Sequence, residues 1–160
     1  MSPLRIGHGY DIHRLQTGGK LVLGGVVVTT EISPISYSDG DVVIHAIIDA
    51  LLGGLGWGDI GDHYSDKDPK LKGIDSTILL TEIYTRVKNA GYHVVNADVM
   101  IMAEQPRISP FKKPMVESLT RFLGAESVVN IKAGTNEDCD AVGKGQAIAA
   151  HAVVLLAKHG

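Results

Sequence analysis

The sequence predicts one α/β domain: a mixed β-sheet with helices packed on one face, associating with copies of itself through the other. Three observations carry this. Segments rich in β-branched residues interleave with segments of helical apolar spacing, in the order hairpin, helix, helix, strand, helix, strand, strand. The 160 residues suit a single domain, 1–160, with a hydrophobic core of its own. The strands carry apolar residues on both faces, so the face that the helices leave bare also calls for a cover, and self-association supplies one.

Taken in order, Leu4 to Leu15 reads as a strand, followed by a Thr17-Gly18-Gly19-Lys20 turn and a β-branched run from Leu21 to Thr29. The turn predicts that these two strands pair as a hairpin. A loop containing Pro34 leads to a helix that opens after Asp41, with Ser38 and Asp39 as N-cap residues, and ends in the glycines at 53, 54 and 56. Trp57 to Gly61 is an exposed corner and His63 to Pro69 a polar loop. Asp75-Ser76 caps a second helix reaching Asn89, stopped by Gly91. His93 to Met102 is a strand, Ala103 to Pro110 a loop with two prolines, Lys112 to Leu123 a helix and Val128 to Ala133 a strand. Val142 to Gly145 is a turn. Ala147 to Lys158 has the alanines of a helix, but its β-branching and position favour a strand.

The helix after Asp41 organises the rest. Asp41, His45 and Asp49 are four residues apart, so their side chains share one face, while Val43, Ile44, Ile47 and Leu51 make core. A His between two acids is a metal ligand with orienting neighbours, or a His salt-bridged to exposed acids. The first strand supplies what the helix lacks. Asp11 and His13 point to one face because strand side chains repeat every two residues; His8 points to the other unless Gly7 or Gly9 introduces a bulge. Asp11, His13 and His45 form a set of two imidazoles and a carboxylate, which suits zinc with one coordination position open. Asp41 and Asp49 would orient the site or balance its charge.

Composition narrows the alternatives. Hydrophobic content of 44% with 21% charged residues is that of a soluble globular protein. The net charge of −3 argues against nucleic acid and membrane surfaces as partners. No apolar run is long enough to span a bilayer, and the amino terminus lacks a signal-peptide pattern. One cysteine, Cys139, excludes an internal disulfide and a multi-cysteine zinc module.

These residues resemble one family, the 2-C-methyl-D-erythritol 2,4-cyclodiphosphate synthases of the non-mevalonate isoprenoid pathway. The resemblance rests on Arg5-Ile6-Gly7-His8-Gly9-Tyr10-Asp11-Ile12-His13, on Ser38-Asp39-Gly40-Asp41 with His45 and Asp49-Ala50-Leu51-Leu52-Gly53, and on Gly58-Asp59-Ile60-Gly61. Asp66-x-Asp68, Lys72-Gly73-x-Asp75-Ser76, Gly91-Tyr92, Pro106 and Lys132-Ala133-x-Thr135-x-Glu137 extend it over essentially the whole chain. It implies a homotrimer with active sites between subunits and an apolar channel on the three-fold axis, open to an isoprenoid diphosphate. The implied reaction is attack of the 2-phosphate of 4-diphosphocytidyl-2-C-methyl-D-erythritol 2-phosphate on the β-phosphorus, with loss of CMP.

By the same resemblance Zn²⁺ would sit on Asp11, His13 and His45, and Glu137 would hold Mg²⁺ or Mn²⁺ at the diphosphate. Ser38 would bind the 2-phosphate and Asp66 the methylerythritol hydroxyls. Asp59, Ile60 and Gly61 would take the ribose, Ala103, Pro106, Arg107 and Ile108 the cytosine, and Thr135 the transition-state diphosphate. The expected compartment is the bacterial cytoplasm, or a plastid-type organelle after removal of a transit peptide. This chain departs from the family pattern at Tyr37, where a His is usual, and at Gly134 and Asn136, where hydroxyl-bearing residues are usual. Ser65 replaces a Pro, and Lys144 stands where a basic residue, often Arg, faces the trimer axis. Tyr37, Gly134, Asn136 and Lys144 remain expected substrate contacts, with Tyr37 catalytic as well. Two other readings remain open: a zinc phosphohydrolase that delivers water, and a trimer that binds nucleotide or isoprenoid diphosphates without turnover.

Overall fold

The structure, a computed structural model, describes residues 3–159. β1 (Leu4–Thr17) and β7 (Ala147–Lys158) are antiparallel partners in unbroken register from Leu4↔Ala157 to Arg14↔Ala147. β5 (Tyr92–Met102) runs antiparallel to β7 on its other side and parallel to β6 (Val128–Gly134), while β4 (Ile32–Pro34) closes the far edge beside β1. The sheet is therefore mixed, in the order β4-β1-β7-β5-β6. The last segment is a strand, as its β-branching indicated, and β1 has no bulge against β7 at Gly7 or Gly9, so the two-residue parity holds there.

One expected pairing is corrected. The run from Leu21 to Thr29 is not a single strand beside β1. It is two short strands, β2 (Leu21–Leu23) and β3 (Val26–Thr29), that pair with each other. The cause is Gly24-Gly25, both left-handed at φ 58° and 76°, which makes a two-residue reversal in mid-run. β1 is thereby left free to pair with β7 and β4.

The organising helix, α1 (Val42–Leu55), is capped by Asp41 rather than by Ser38 or Asp39; the Asp41 side chain accepts from the N–H of Ile44. It runs on through Gly53 and Gly54 and stops at Gly56, left-handed at φ 70°. Its axis lies directly on β1. A Cβ at Gly7 or Gly9 would collide with the carbonyl oxygens of Ala50 and Ala46, so the strand needs glycine at both places for the helix to seat. α3 (Ser76–Asn89), capped by Asp75, and α4 (Lys112–Leu123) complete the layer, with Ile44, Ile47, Leu51, Leu80, Ile83, Ile101, Met115 and Leu119 fully buried beneath. Among the described residues two short α-helices escaped the sequence, α2 (Ile60–His63), opened by a reciprocal Asp59/Asp62 cap, and α5 (Asp140–Gly143), as did 3-10 turns at Pro69–Leu71 and Ser109–Phe111.

Among the described residues the opposite face of the sheet is largely uncovered, except at the end where Val142 of α5 packs on Ala147 and Ala149. Ile6 is 73% exposed and Val128 66%, with Tyr10, Ile12 and Val153 exposed beside them. On this face Nε2 of His8 lies 2.9 Å from Nδ1 of His151, and Lys132 donates to Asp98.

Candidate active site

Residues of odd number in β1 face α1, which brings Asp11 and His13 alongside His45 on the helix. Oδ2 of Asp11 lies 3.0 Å from Nε2 of His13 and 2.8 Å from Nδ1 of His45, and the two imidazole nitrogens are 3.4 Å apart. Donors about 2.0–2.1 Å from a tetrahedral ion are separated by roughly 3.3 Å, so these atoms mark one face of such a tetrahedron. Among the described residues this is the one group of three or more His, Cys, Asp or Glu side chains whose donor atoms come close enough to hold a metal ion. The chemistry of the donor set, two imidazoles and a carboxylate on a partly open cleft, fits that use.

Electrostatics tie the three together. Burial raises the Asp11 carboxyl, but hydrogen bonds and charge from His13 and His45 outweigh it and hold Asp11 well below the usual carboxylate range. Burial lowers His45, and the hydrogen bond to Asp11 with the fields of Asp11, Asp41 and Asp39 overcomes it, so its pKa is raised. The other ring nitrogen of His45, Nε2, lies 2.8 Å from Oγ of Ser76 and 3.2 Å from Oγ of Ser38.

The two flanking acids of α1 are used differently from each other. Asp41 is fully buried and its carboxylate accepts from three backbone N–H groups, those of Gly24, Gly25 and Ile44, rather than from His45. It acts on His45 through its field and does not orient the ring. Asp49 accepts from the N–H of Ile60 and so ties the start of α2 to the middle of α1.

A cleft of about 410 Å³ opens beside the three donors, lined by Tyr37, Ser38, Asp49, Ile60, Ser65 and Asp66 among others. The Tyr37 hydroxyl donates to the carbonyl of Asp68, 2.9 Å away, so its one hydrogen is spent on the loop. Asp59 caps α2 and Gly61 is the second residue of that helix.

The remaining expected contacts form a second group. Ala103, Pro106, Arg107, Ile108, Gly134 and Thr135 line a separate cleft of about 340 Å³, on the loop after β5 and the end of β6. Thr135 donates to Glu137 at 2.8 Å. The backbone N–H of Asn136 donates to Glu104 and its side-chain amide to Asp140, so these donors are already engaged. Glu137, Asp138 and Asp140 all have left-handed backbone, at φ 51°, 61° and 57°. Lys144 is exposed at the end of α5. Among the described residues none lines both clefts, so Asp11, His13 and His45 meet within one chain while Thr135 lines a separate cleft. Sequence reasoning missed Ser76, Asp39 and Glu104. Ser76 was visible only as a helix-start residue, and the pairings of all three are long-range in sequence.

The model of the YgbB family matches residues 4–157. The chain is 45% identical over 157 residues to the Arabidopsis thaliana chloroplastic 2-C-methyl-D-erythritol 2,4-cyclodiphosphate synthase, covering 98% of this chain and 68% of that one. It is 47% identical over 154 residues to the Desulfosudis oleivorans enzyme of the same name, covering 96% and 92%. Among solved structures, IspF of Plasmodium falciparum in complex with CDP superimposes with a TM-score of 0.86 at 31% identity, covering 100% of this chain and 99% of that one. The bifunctional IspDF of Campylobacter jejuni gives 0.92 at 33%, covering 98% of this chain; the chain spans 42% of that larger protein. With its fold, the Asp11–His13–His45 cluster and these matches in agreement, the chain belongs to the YgbB family, that of the 2-C-methyl-D-erythritol 2,4-cyclodiphosphate synthases.

Proposed function

We propose that the protein cyclises 4-diphosphocytidyl-2-C-methyl-D-erythritol 2-phosphate to 2-C-methyl-D-erythritol 2,4-cyclodiphosphate and releases CMP, a phosphorus–oxygen lyase reaction. The observation that carries this reading is the Asp11–His13–His45 triangle opening on a cleft lined by Ser38 and Asp66. Intramolecular attack needs the two phosphates held together and their charge neutralised, and little proton transfer. Zn²⁺ on Asp11, His13 and His45, with Mg²⁺ or Mn²⁺ beside Glu137, would supply the Lewis-acid charge. Ser38 donates to the 2-phosphate, and Asp66 accepts from the methylerythritol hydroxyls. Asp59, Ile60 and Gly61 receive the ribose. The Ala103–Ile108 loop, with Pro106 and Arg107, receives cytosine, and Thr135 meets the diphosphate. Gly134, Asn136 and Lys144 shape that wall.

The separation of the two clefts supports an active site shared between copies. The uncovered sheet face, carrying Ile6, Tyr10 and Val153, supports a homotrimer with an apolar interior that an isoprenoid diphosphate can enter. The plant relative carries a chloroplastic name, in keeping with a plastid or bacterial setting, and no helix among the described residues is long and apolar enough to cross a membrane.

The test is phosphorus NMR of zinc-loaded protein with the cytidylyl substrate and Mg²⁺. CMP together with the cyclic diphosphate, both lost in His45→Ala, is the expected result. CMP with an open-chain diphosphate would make water the nucleophile and sink the cyclase reading; nucleotide binding without any CMP would leave a binding protein.

A further inference from the structure

Ser76 is fully buried at the first position of α3, and its hydroxyl stands between a ring nitrogen and a carboxylate. The ring nitrogen is Nε2 of His45, the one turned away from Asp11 and His13. The carboxylate is that of Asp39, which also accepts from the backbone N–H groups of Ser76 and Asp41. A carboxylate has no hydrogen to give and a serine hydroxyl has one. Ser76 therefore donates to Asp39, and only its lone pairs face His45. The hydrogen between Ser76 and His45 belongs to Nε2, and Ser38, at 3.2 Å, accepts a share of it. In the metal-free chain Nδ1, 2.8 Å from the Asp11 carboxylate, carries a hydrogen as well; a metal ion would displace that one, and the Nε2 hydrogen facing Ser76 would stay on the ring.

We propose that Ser76 and Asp39 are positioning residues that fix the tautomer and orientation of His45 for a metal ion held with Asp11 and His13. The relay runs in one direction only, from imidazole to hydroxyl to carboxylate. It deepens the metal reading of the cluster and rests on it. Partners of this kind on a metal-ligating histidine are typically worth about 10–100-fold in affinity.

The test is zinc affinity of the full chain, stripped with a chelator and titrated against a chromophoric competitor, for wild type, Ser76→Ala and Asp39→Asn. Ser76→Ala removes the acceptor. Asp39→Asn reverses the relay, because the amide can donate to Ser76 and turn the serine hydrogen toward Nε2. Both variants are expected to weaken zinc by about 10–100-fold with unchanged circular dichroism. Long-range proton–nitrogen spectra of the zinc-loaded proteins should show a His45 Nε2 hydrogen that exchanges slowly in wild type and faster in both variants, a readout that a purely structural role for Ser76 would not move. Unchanged zinc affinity in both folded variants, or an Nε2 hydrogen that exchanges no faster in them than in wild type, would overturn the relay alone. A wild-type chain that binds no zinc at these three donors would overturn the metal reading and the relay with it.

Discussion

The carboxylate of Asp11 lies 2.8 Å from Nδ1 of His45, so the first strand and the first helix meet at an acid–imidazole contact. Asp11→Asn keeps the shape and removes the charge. In the metal-free protein the pKa of His45 should fall, read by NMR titration, because Asp11 is the chief group raising it. Zinc affinity should fall by more than about tenfold, since a neutral amide is a poor ligand for the ion. An unchanged His45 titration would show that the contact is not the source of its shift.

Stability of the metal-free protein should decline as pH rises above about 6.5, the ordinary imidazole value. His45 has a raised pKa, so in that window the folded chain keeps a proton that the unfolded chain has given up. Its contribution is complete below the unfolded value and is lost as pH climbs through the folded one. Asp41, raised chiefly by burial, acts in the same direction at lower pH. Calorimetry with a chelator present should therefore give a lower melting temperature at pH 8 than at pH 6.5. Excess zinc should reverse the slope, because protons compete with the ion for the same nitrogen.

Asp41→Ala should cost about 2–4 kcal/mol by urea unfolding. The substitution strands the N–H groups of Gly24, Gly25 and Ile44 in a buried place and uncaps α1. A loss under about 1 kcal/mol would mean water takes over those donors.

Ile6→Asp and Val153→Asp place charge on the uncovered sheet face without disturbing the helix side. Light scattering should report a single-chain mass for each, with circular dichroism and zinc binding intact and cyclic product absent. A surviving trimer in both variants would remove this face as the assembly surface.

Tyr37→Phe removes one hydrogen bond, the one to the Asp68 carbonyl. A stability loss of about 0.5–1.5 kcal/mol is expected, with KM changed more than kcat. Collapse of kcat at unchanged KM would give the phenol a direct part in the chemistry.

The meeting of Asp11, His13 and His45 was legible in the sequence because strand and helix parity fix which side chains share a face. Ala147–Lys158 was legible as a strand because β-branching outweighed its alanines. The β2–β3 reversal was not, since Gly24-Gly25 reads equally as a loose spot in a longer strand. The N–H groups of Gly24 and Gly25 both converge on Asp41, and that convergence is tertiary. The Ser76–Asp39 pairing was hidden for the same reason: 37 positions separate the two residues, and each reads locally as a helix-start signal. The uncovered face was anticipated, because the strands carry apolar residues on both faces.

Gly7 and Gly9 have a consequence for how the site can move. Packed elements usually slide by small increments through an interdigitated layer of side chains. Beneath Ala46 and Ala50 that layer is missing, and carbonyl oxygens rest on bare Cα atoms. Helix and strand are spaced there by main-chain dimensions, which no rotamer change can adjust. The donor triangle is thus carried by a single rigid body, and shear is closed to it as a way of admitting or releasing a ligand. The opposite wall, the loop that carries Ser65 and Asp66, has no such main-chain seat.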